Sequence, residues 1–419
     1  MKKKLIGLGA VVLVLALLLT LAPACGKGGE GPGVTPTPGT PGAKPTPTPQ
    51  AKELKMGLLT PLSGAYGPFG VEIEQGAVWA VDKINETGGV KVGADTYMVK
   101  LVKADDKGIG SEAATQVTKM ISQDKIHYLT GPIGTYPAIM PIVKEGKCFS
   151  SIMAPTAKWM CSPDNPYMIA LPCSNEFWFE AFWKSGYKFH PEIKTVVLMW
   201  AEGPRVQDYL DIAQAVHESH GSEVIATQLY LGGSTDYYPV LTSVVAKKPD
   251  AIEFNGAKGD LALILKQARE LGYKGLIVGS QAGSPEPFIQ VAGCAYAEGF
   301  INNDPDYNSE LYPESTRLLY AEFQKRFPGA TMALTTYLSY GSIMLYKQGI
   351  ERAGSVDPDE VMKVFDDPNF EFEWFGIPGK KLGGYENYGV RRNVQDEVCY
   401  SEVVNCKRVM KGREPVLIP

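Results

Sequence analysis

The apolar residues of this chain are distributed in three distinct ways. From Leu5 to Leu21 they form an almost unbroken run, from Gly26 to Gln50 they nearly vanish, and from Leu54 onward short apolar runs alternate with longer amphipathic ones. Leu54 to Thr60 predicts a buried strand, closed by the turn-rich Pro61-Leu62-Ser63-Gly64-Ala65-Tyr66-Gly67-Pro68. Val71 to Glu86 follows as a helix, with Ile73, Ala77, Val78, Ala80, Val81 and Ile84 at helical spacing and a stop at Gly88-Gly89. Met98 to Ala104 reads as a strand, Glu112 to Gln123 as a helix, and Ile126 to Thr130 as a strand ended by Gly131-Pro132. The pattern restarts with strand Thr195–Trp200, helix Val206–His220 and strand Glu223–Leu229. Helix Pro239–Lys247, strand Ala251–Phe254, helix Asp260–Leu271 and strand Leu276–Gly279 continue it. Such alternation builds parallel sheets through right-handed crossovers, and two series in succession predict two similar α/β lobes, each a parallel β-sheet flanked by helices. Arg391 to Lys411 is again strand-like, broken at Lys411-Gly412.

The N-terminal run has a different purpose. Lys2, Lys3 and Lys4 precede it and Ala22-Pro23-Ala24 end it, which is the charged start, apolar stretch and small-residue cleavage site of an export signal over residues 1–24. Cys25 directly after the cut is where a bacterial lipoprotein carries its lipid. Ala22, three residues before Cys25, stands where a lipoprotein signal usually has Leu, so cleavage without lipidation and an uncleaved membrane anchor stay open. All three readings put the body outside the cytoplasm. Residues 25–50, rich in Gly, Pro and Thr and ending Pro45-Thr46-Pro47-Thr48-Pro49, are a tether with almost nothing to bury.

Composition narrows the partners. Of 419 residues, 44% are hydrophobic and 21% charged, ordinary for a globular body of a size that suits two lobes. The net charge of −5, without a basic stripe carrying interleaved aromatics, argues against nucleic acid. No second apolar span follows Cys25, so the membrane is reached only through the anchor. With Cys25 so used, Cys148, Cys161, Cys173, Cys294, Cys399 and Cys406 are left, an even number that suggests disulfides in an oxidising compartment. Cys161 with Cys173 and Cys399 with Cys406 would close short local loops and are the favoured pairs. No CxxC occurs and the histidines never fall beside the cysteines, so neither a metal nor a cofactor is expected.

Enzymatic signatures are missing. There is no Gly-x-Ser-x-Gly elbow and no Gly-x4-Gly-Lys-Ser/Thr loop. His217 and His220, with Glu218 between them, sit on a polar stretch before Gly221 and read as an exposed helix end. Asp105-Asp106 reads as a strand-end loop leading toward the helix at Glu112. In open parallel sheets ligands lie beyond the carboxyl ends of the strands, which selects the loops after Leu59, Thr130, Ile152, Met199, Phe254 and Gly279. If the two lobes face one another through these loops, the cleft between them is the site.

Several motifs, weak singly, keep a common order and spacing. They are Gly57-Leu58-Leu59-Thr60-Pro61-Leu62-Ser63-Gly64 with Gly70 and Gly76-Ala77, Asp105-Asp106, Gly131-Pro132-Ile133-Gly134-Thr135 and Ala154-Pro155-Thr156-Ala157. The second half adds Thr235-Asp236-Tyr237, Lys248-Pro249-Asp250-Ala251 and Leu265-Lys266-Gln267-Ala268-Arg269-Glu270-Leu271-Gly272. In this the chain, over nearly all of Leu54 to Arg413, resembles the type I periplasmic solute-binding proteins of ABC transporters, specifically the branched-chain amino-acid receptor family. The resemblance implies two lobes joined by a three-segment hinge, lobe 1 from 54–172 and 300–388, lobe 2 from 173–299 and 389–419. It implies a monomer that captures a small carboxylate between the lobes and hands it to an ABC permease with its ATPase. A ligand-sensing receptor serving a membrane signalling partner is the alternative.

The same resemblance supplies site residues. Thr135 and Thr156 match positions that hold the ligand carboxylate, Gly134 and Ala154 leave room for backbone contact, and Tyr66 matches a pocket wall; capping or packing would otherwise explain these residues. Asn255 and Gly256 are expected at the pocket floor, and the crossings near Pro172 and Phe300 at the hinge. Departures point toward the ligand. Where many members carry an acid or tyrosine before Gly, this chain has Met199-Trp200-Ala201-Glu202-Gly203-Pro204, and the loop Ser280-Gln281-Ala282-Gly283-Ser284 has no acid before Glu286. A buried ammonium without an anion is costly, so either Glu202 or Glu286 takes that role or the ligand has no amino group. Trp159, Trp178, Trp183 and Trp200, with Tyr136, Tyr237 and Tyr238, suit an aromatic or aliphatic acid. Trp178 and Trp183 also read as the packed face of a helix, whereas Trp200 ends a strand on the ligand side.

Overall fold

The computed structural model describes residues 51–419 except 65, 154–157, 172, 173, 204, 205, 417 and 419. The leader, Cys25 and the tether therefore lie outside the described residues, as do Ala154, Thr156, Pro172 and Cys173. The first lobe opens with strands β1 (Lys52–Thr60), β2 (Val90–Val92), β3 (Asp95–Asp105), β4 (Tyr128–Thr130), β5 (Phe149–Ile152) and β6 (Met168–Ala170). The second follows with β7 (Thr195–Ala201), β8 (Glu223–Tyr230), β9 (Ala251–Asn255), β10 (Leu276–Gly279) and β11 (Phe300–Asn302). A small hairpin, β12 (Phe372–Trp374) and β13 (Ile377–Lys380), precedes β14 (Leu382–Gly383), β15 (Asn393–Val394), β16 (Glu397–Val404) and β17 (Lys407–Pro415).

These strands form two large sheets, ordered β14-β15-β6-β5-β4-β1-β3-β2 and β17-β16-β11-β10-β9-β7-β8. Both are parallel at the centre, β1 with β3 and β4 in one and β7 with β8 and β9 in the other. Their antiparallel pairs lie toward the margins, where β2–β3 and β16–β17 turn back as hairpins and β14–β15 pair across a connection that holds the short helix Tyr385–Tyr388. The predicted break at Lys411-Gly412 is a bulge: Tyr400 faces Gly412 and Ser401 faces Met410, leaving Lys411 as the extra residue while β17 runs on.

Seven helices lie between the early strands: α1 (Gly67–Glu86), α2 (Gly110–Lys119), α3 (Tyr136–Glu145), α4 (Asn175–Phe189), α5 (Val206–Ser219), α6 (Tyr238–Ala246) and α7 (Lys258–Glu270), and all but α6 reach the site. Helix α1 begins four residues before the predicted Val71, because Pro68 in the first turn presets helical φ and gives up an N–H that the helix does not need. The α1 N-terminus packs so closely on the preceding loop that a Cβ at Gly70 would collide with the Pro61 carbonyl.

The chain passes between sheets after β6, after β11 and between β15 and β16. Two aspartates, Asp304 buried and Asp396 half-buried, pin the last two crossings. Asp304 accepts the Leu334 N–H at 2.9 Å and the Ser284 hydroxyl at 3.0 Å and is ion-paired with Arg408. Asp396 accepts the Tyr337 hydroxyl at 2.7 Å and the Trp374 indole at 3.0 Å.

The cysteine pairing differs from expectation. Cys294 is bonded to Cys406 across 112 residues, with 5.2 Å between their Cα atoms, while Cys148, Cys161 and Cys399 are buried free thiols. Cys399 cannot reach Cys406 because it lies well up the β16–β17 ladder opposite Arg413, whereas Cys406 sits in the hairpin turn against the short helix Cys294–Ala297. His217 also departs from the exposed helix end read in the sequence. It is fully buried, with Nε2 2.8 Å from Glu253 and Nδ1 2.7 Å from the Tyr187 hydroxyl.

Candidate functional site

Parallel α/β topology puts strand carboxyl ends and helix amino ends on the same side of each sheet, and the two lobes turn these sides toward one another. Between them lies a cavity of about 660 Å³. The first lobe contributes Tyr66 from the loop after β1 and Gly134, Thr135 and Tyr136 from the loop after β4. The second contributes Trp200 and Glu202 at the end of β7, Asn255 at the end of β9 and Gln281 after β10. All eight described candidates thus share one cavity. Trp178 lines it too while packing in its lobe, whereas Trp183 is buried in the core; Trp159, Tyr237 and Tyr238 do not line it.

Helix amino ends dominate the wall. Phe69 in the first turn of α1, Gly110 of α2, Tyr136 of α3, Val206 of α5 and Lys258 of α7 all line the cavity, joined by Leu334 at the start of helix Leu334–Ala353. Each such end carries partial positive charge from its aligned peptide dipoles and from N–H groups without intrahelical acceptors. Their convergence favours a negatively charged ligand group.

The polar floor is tightly organised. Asn255 donates to Gln281 at 2.7 Å, and Gln281 donates to Asn175 at 2.9 Å. Gly256 beside them has no room for a side chain, since a Cβ would strike the Tyr230 hydroxyl. Trp178 donates its indole N–H to the Ser280 carbonyl at 3.0 Å. Below this loop the buried Glu253 accepts from the Ser280 hydroxyl, from Trp183 at 3.1 Å and from His217, so a satisfied polar network holds the floor in position.

Thr135 is buried, and its hydroxyl donates to Asp106 at 2.7 Å. The two adjacent aspartates therefore divide their work. Asp105 organises the strand-end loops by accepting from Leu62 N–H, Ser63 and Lys107 N–H. Asp106 stands behind the cavity wall, where burial pushes its carboxyl above the ordinary value against the Thr135 and Gly108 hydrogen bonds that favour its charge.

Among the described residues, the charged ones lining the cavity are Glu72, Lys258 and Glu202. Glu202 is exposed at the rim. Glu286 does not line the cavity and lies 3.7 Å from Arg408. Glu72 of α1 and Lys258 of α7 meet across the cleft at 2.6 Å, Thr335 donates to the second Glu72 oxygen at 2.6 Å, and the Lys258 ammonium stands 4.4 Å from the Phe69 ring centre. This group was missed in the sequence. The available signal was Lys258 itself, a cation in the first turn of a helix, where the dipole disfavours it unless an acid compensates.

The profile of the periplasmic binding protein family matches residues 53–381. A Leu/Ile/Val-binding protein of Rhizobium johnstonii is 23% identical over 312 residues, covering 74% of this chain and 82% of that protein. A leucine-, isoleucine-, valine-, threonine- and alanine-binding protein of Pseudomonas aeruginosa is 21% identical over 352 residues, covering 81% and 88%. Among solved structures, the branched-chain amino-acid transporter substrate-binding protein of Streptococcus pneumoniae, in complex with isoleucine, superposes with a TM-score of 0.75 at 21% identity, covering 87% of this chain and 99% of that one. A solute-binding protein of an ABC transporter from R. palustris, in complex with benzoate, gives 0.73 at 19% identity, covering 88% and 98%. The chain belongs to the periplasmic binding protein family, with the two-lobed type I fold of these solute-binding proteins.

Proposed function

We propose that this protein captures a small carboxylate with an aromatic or aliphatic body between its lobes and delivers it to an ABC permease. In this reading it acts outside the cytoplasm as a monomer, held to the membrane by lipid on Cys25. The observation that carries the ligand class is the convergence of helix amino ends on a cavity in which the half-buried acid Glu72, among the described residues, is already paired. Tyr66, Phe69, Tyr136, Trp178 and Trp200 supply the apolar and aromatic wall. Thr135 and Tyr136 at the start of α3 would face the carboxylate, and Asn255, Gln281 and Trp200 would read the rest of the ligand.

Relatives named as Leu/Ile/Val-binding proteins favour a branched-chain amino acid, while benzoate and 3,4-dihydroxybenzoate complexes of similar folds favour an aromatic acid. Charge accounting inclines toward the second, because an α-ammonium would find its acids committed or at the rim. Closure follows if the ligand touches both lobes and so binds the closed form better than the open one. Titration calorimetry with benzoate and its methyl ester tests the anion requirement. The acid should bind at least a hundredfold more tightly; equal affinities would remove the carboxylate from the account. Replacing Cys25 with Ser should move the protein out of the membrane fraction.

A further inference from the structure

Glu72, half-buried, and Lys258, buried, form a charged contact inside the ligand cavity, and their position in the two lobes gives them a part in choosing the ligand. Lys258 is 4% exposed, and its ammonium lies 2.6 Å from Glu72 Oε1. Thr335 from helix Leu334–Ala353 donates to Glu72 Oε2, and Phe69 lies against the ammonium, so each charged group has its partners within the protein. Burial pushes the Glu72 carboxyl upward, opposed chiefly by Lys258. The pair presents no net charge, so an incoming ammonium would meet Lys258 as well as Glu72 and gain no net compensation for its lost water.

Resting on the carboxylate reading above, we propose that the Glu72–Lys258 pair sets ligand charge selectivity, admitting monocarboxylates and excluding ligands that carry an additional ammonium or a second carboxylate. Removing one member uncovers the other. Lys258→Gln leaves an unpaired carboxylate in the cavity, a site for a ligand ammonium. Glu72→Gln leaves an unpaired ammonium, a site for a second ligand carboxylate. The reversed pair, Glu72→Lys with Lys258→Glu, restores neutrality.

The test is calorimetry on the purified protein, stripped of carried-over ligand, with benzoate, leucine, phenylalanine, phthalate and succinate as probes. Thermal unfolding of each variant verifies that it is folded. The wild type should bind benzoate and ignore the other probes. K258Q should gain leucine or phenylalanine affinity by tenfold or more, E72Q should gain phthalate or succinate affinity by a similar factor, and the reversed pair should keep wild-type selectivity. The inference is overturned if folded K258Q and E72Q still bind benzoate with selectivity unchanged. It is also overturned if wild type binds leucine and E72Q abolishes that binding, since the pair would then be an amino-acid site. A wild type that binds no carboxylate at all defeats the carboxylate reading, and this inference falls with it.

Discussion

Thr135 spends its one hydroxyl proton on Asp106, 2.7 Å away, and has only lone pairs left to offer the cavity it lines. A carboxylate arriving at the start of α3 meets a hydroxyl that donates outward only when Asp106 carries a proton. Because burial raises the Asp106 carboxyl above its ordinary value, the folded protein binds that proton more tightly than the unfolded chain does. Stability from this group is therefore full below the ordinary value near 3.8 and is lost as pH rises through the raised one. Carboxylate affinity should rise as pH falls through the same window. Asp106→Asn, whose amide donates to Thr135, should tighten carboxylate binding at pH 7 by about tenfold, ~1.4 kcal/mol, and flatten its pH dependence. Calorimetry at pH 7 and as the pH is lowered toward 3.8 would show this; weaker binding by the variant would assign the outward proton to another group.

The Glu72–Lys258 contact should also be visible in shape. Leaving a buried charge without its partner costs about 3–5 kcal/mol, and a two-lobed protein can avoid much of that by opening and hydrating it. Ligand-free E72Q should therefore have a larger radius of gyration in small-angle scattering than ligand-free wild type, with ligand restoring the compact form. Identical scattering curves would mean that the pair contributes nothing to closure.

Trp200 is 4% exposed, ends β7 on the cavity and lies 6.3 Å from the Phe179 ring. Trp200→Phe should keep most of the packing while weakening an aromatic carboxylate by about 1 kcal/mol, the size of one aromatic contact. A short aliphatic acid should be affected less. Equal loss for both would make Trp200 a structural residue.

The Cys294–Cys406 bridge ties a short helix to the turn of the β16–β17 hairpin at the margin of its sheet, and neither cysteine lines the cavity. Closing so long a loop contributes about 2–5 kcal/mol in the chain-entropy account. Cys294→Ala with Cys406→Ala, or reductant, should lower the melting temperature by several degrees and leave ligand affinity within twofold. A large change in affinity would connect the hairpin to the cleft.

Much of the cavity was legible in the sequence because strand ends in a parallel sheet are announced by apolar runs meeting Gly- and Pro-rich loops. Trp200 and Asn255 stand at such ends, and Tyr66, Thr135 and Gln281 in the loops beyond them. Glu72, Lys258 and Thr335 were not legible because their significance is pairwise: residues 186 and 263 positions apart, on three helices, meet only when the lobes are assembled. His217 looked solvated because its helix end is polar, yet its partner Glu253 comes from a strand 36 residues later. Cysteine pairing failed for a related reason, since short loops look favourable until the β16–β17 register keeps Cys399 away from Cys406.

Whether the cleft is made for a carboxylate that has no ammonium is decided by thermal shift of ligand-stripped protein against paired probes. Benzoate and hydroxybenzoates, short fatty acids, leucine, isoleucine, valine, phenylalanine and benzamide make the panel. A ligand at a hundred times its dissociation constant stabilises by about 2.7 kcal/mol, a shift of a few degrees for a protein of this size. One or more of the acids without an amino group should raise the melting temperature while the amino acids and the amide leave it unchanged. A response confined to leucine, isoleucine and valine would contradict it and hand the ammonium to Glu72 or Glu202.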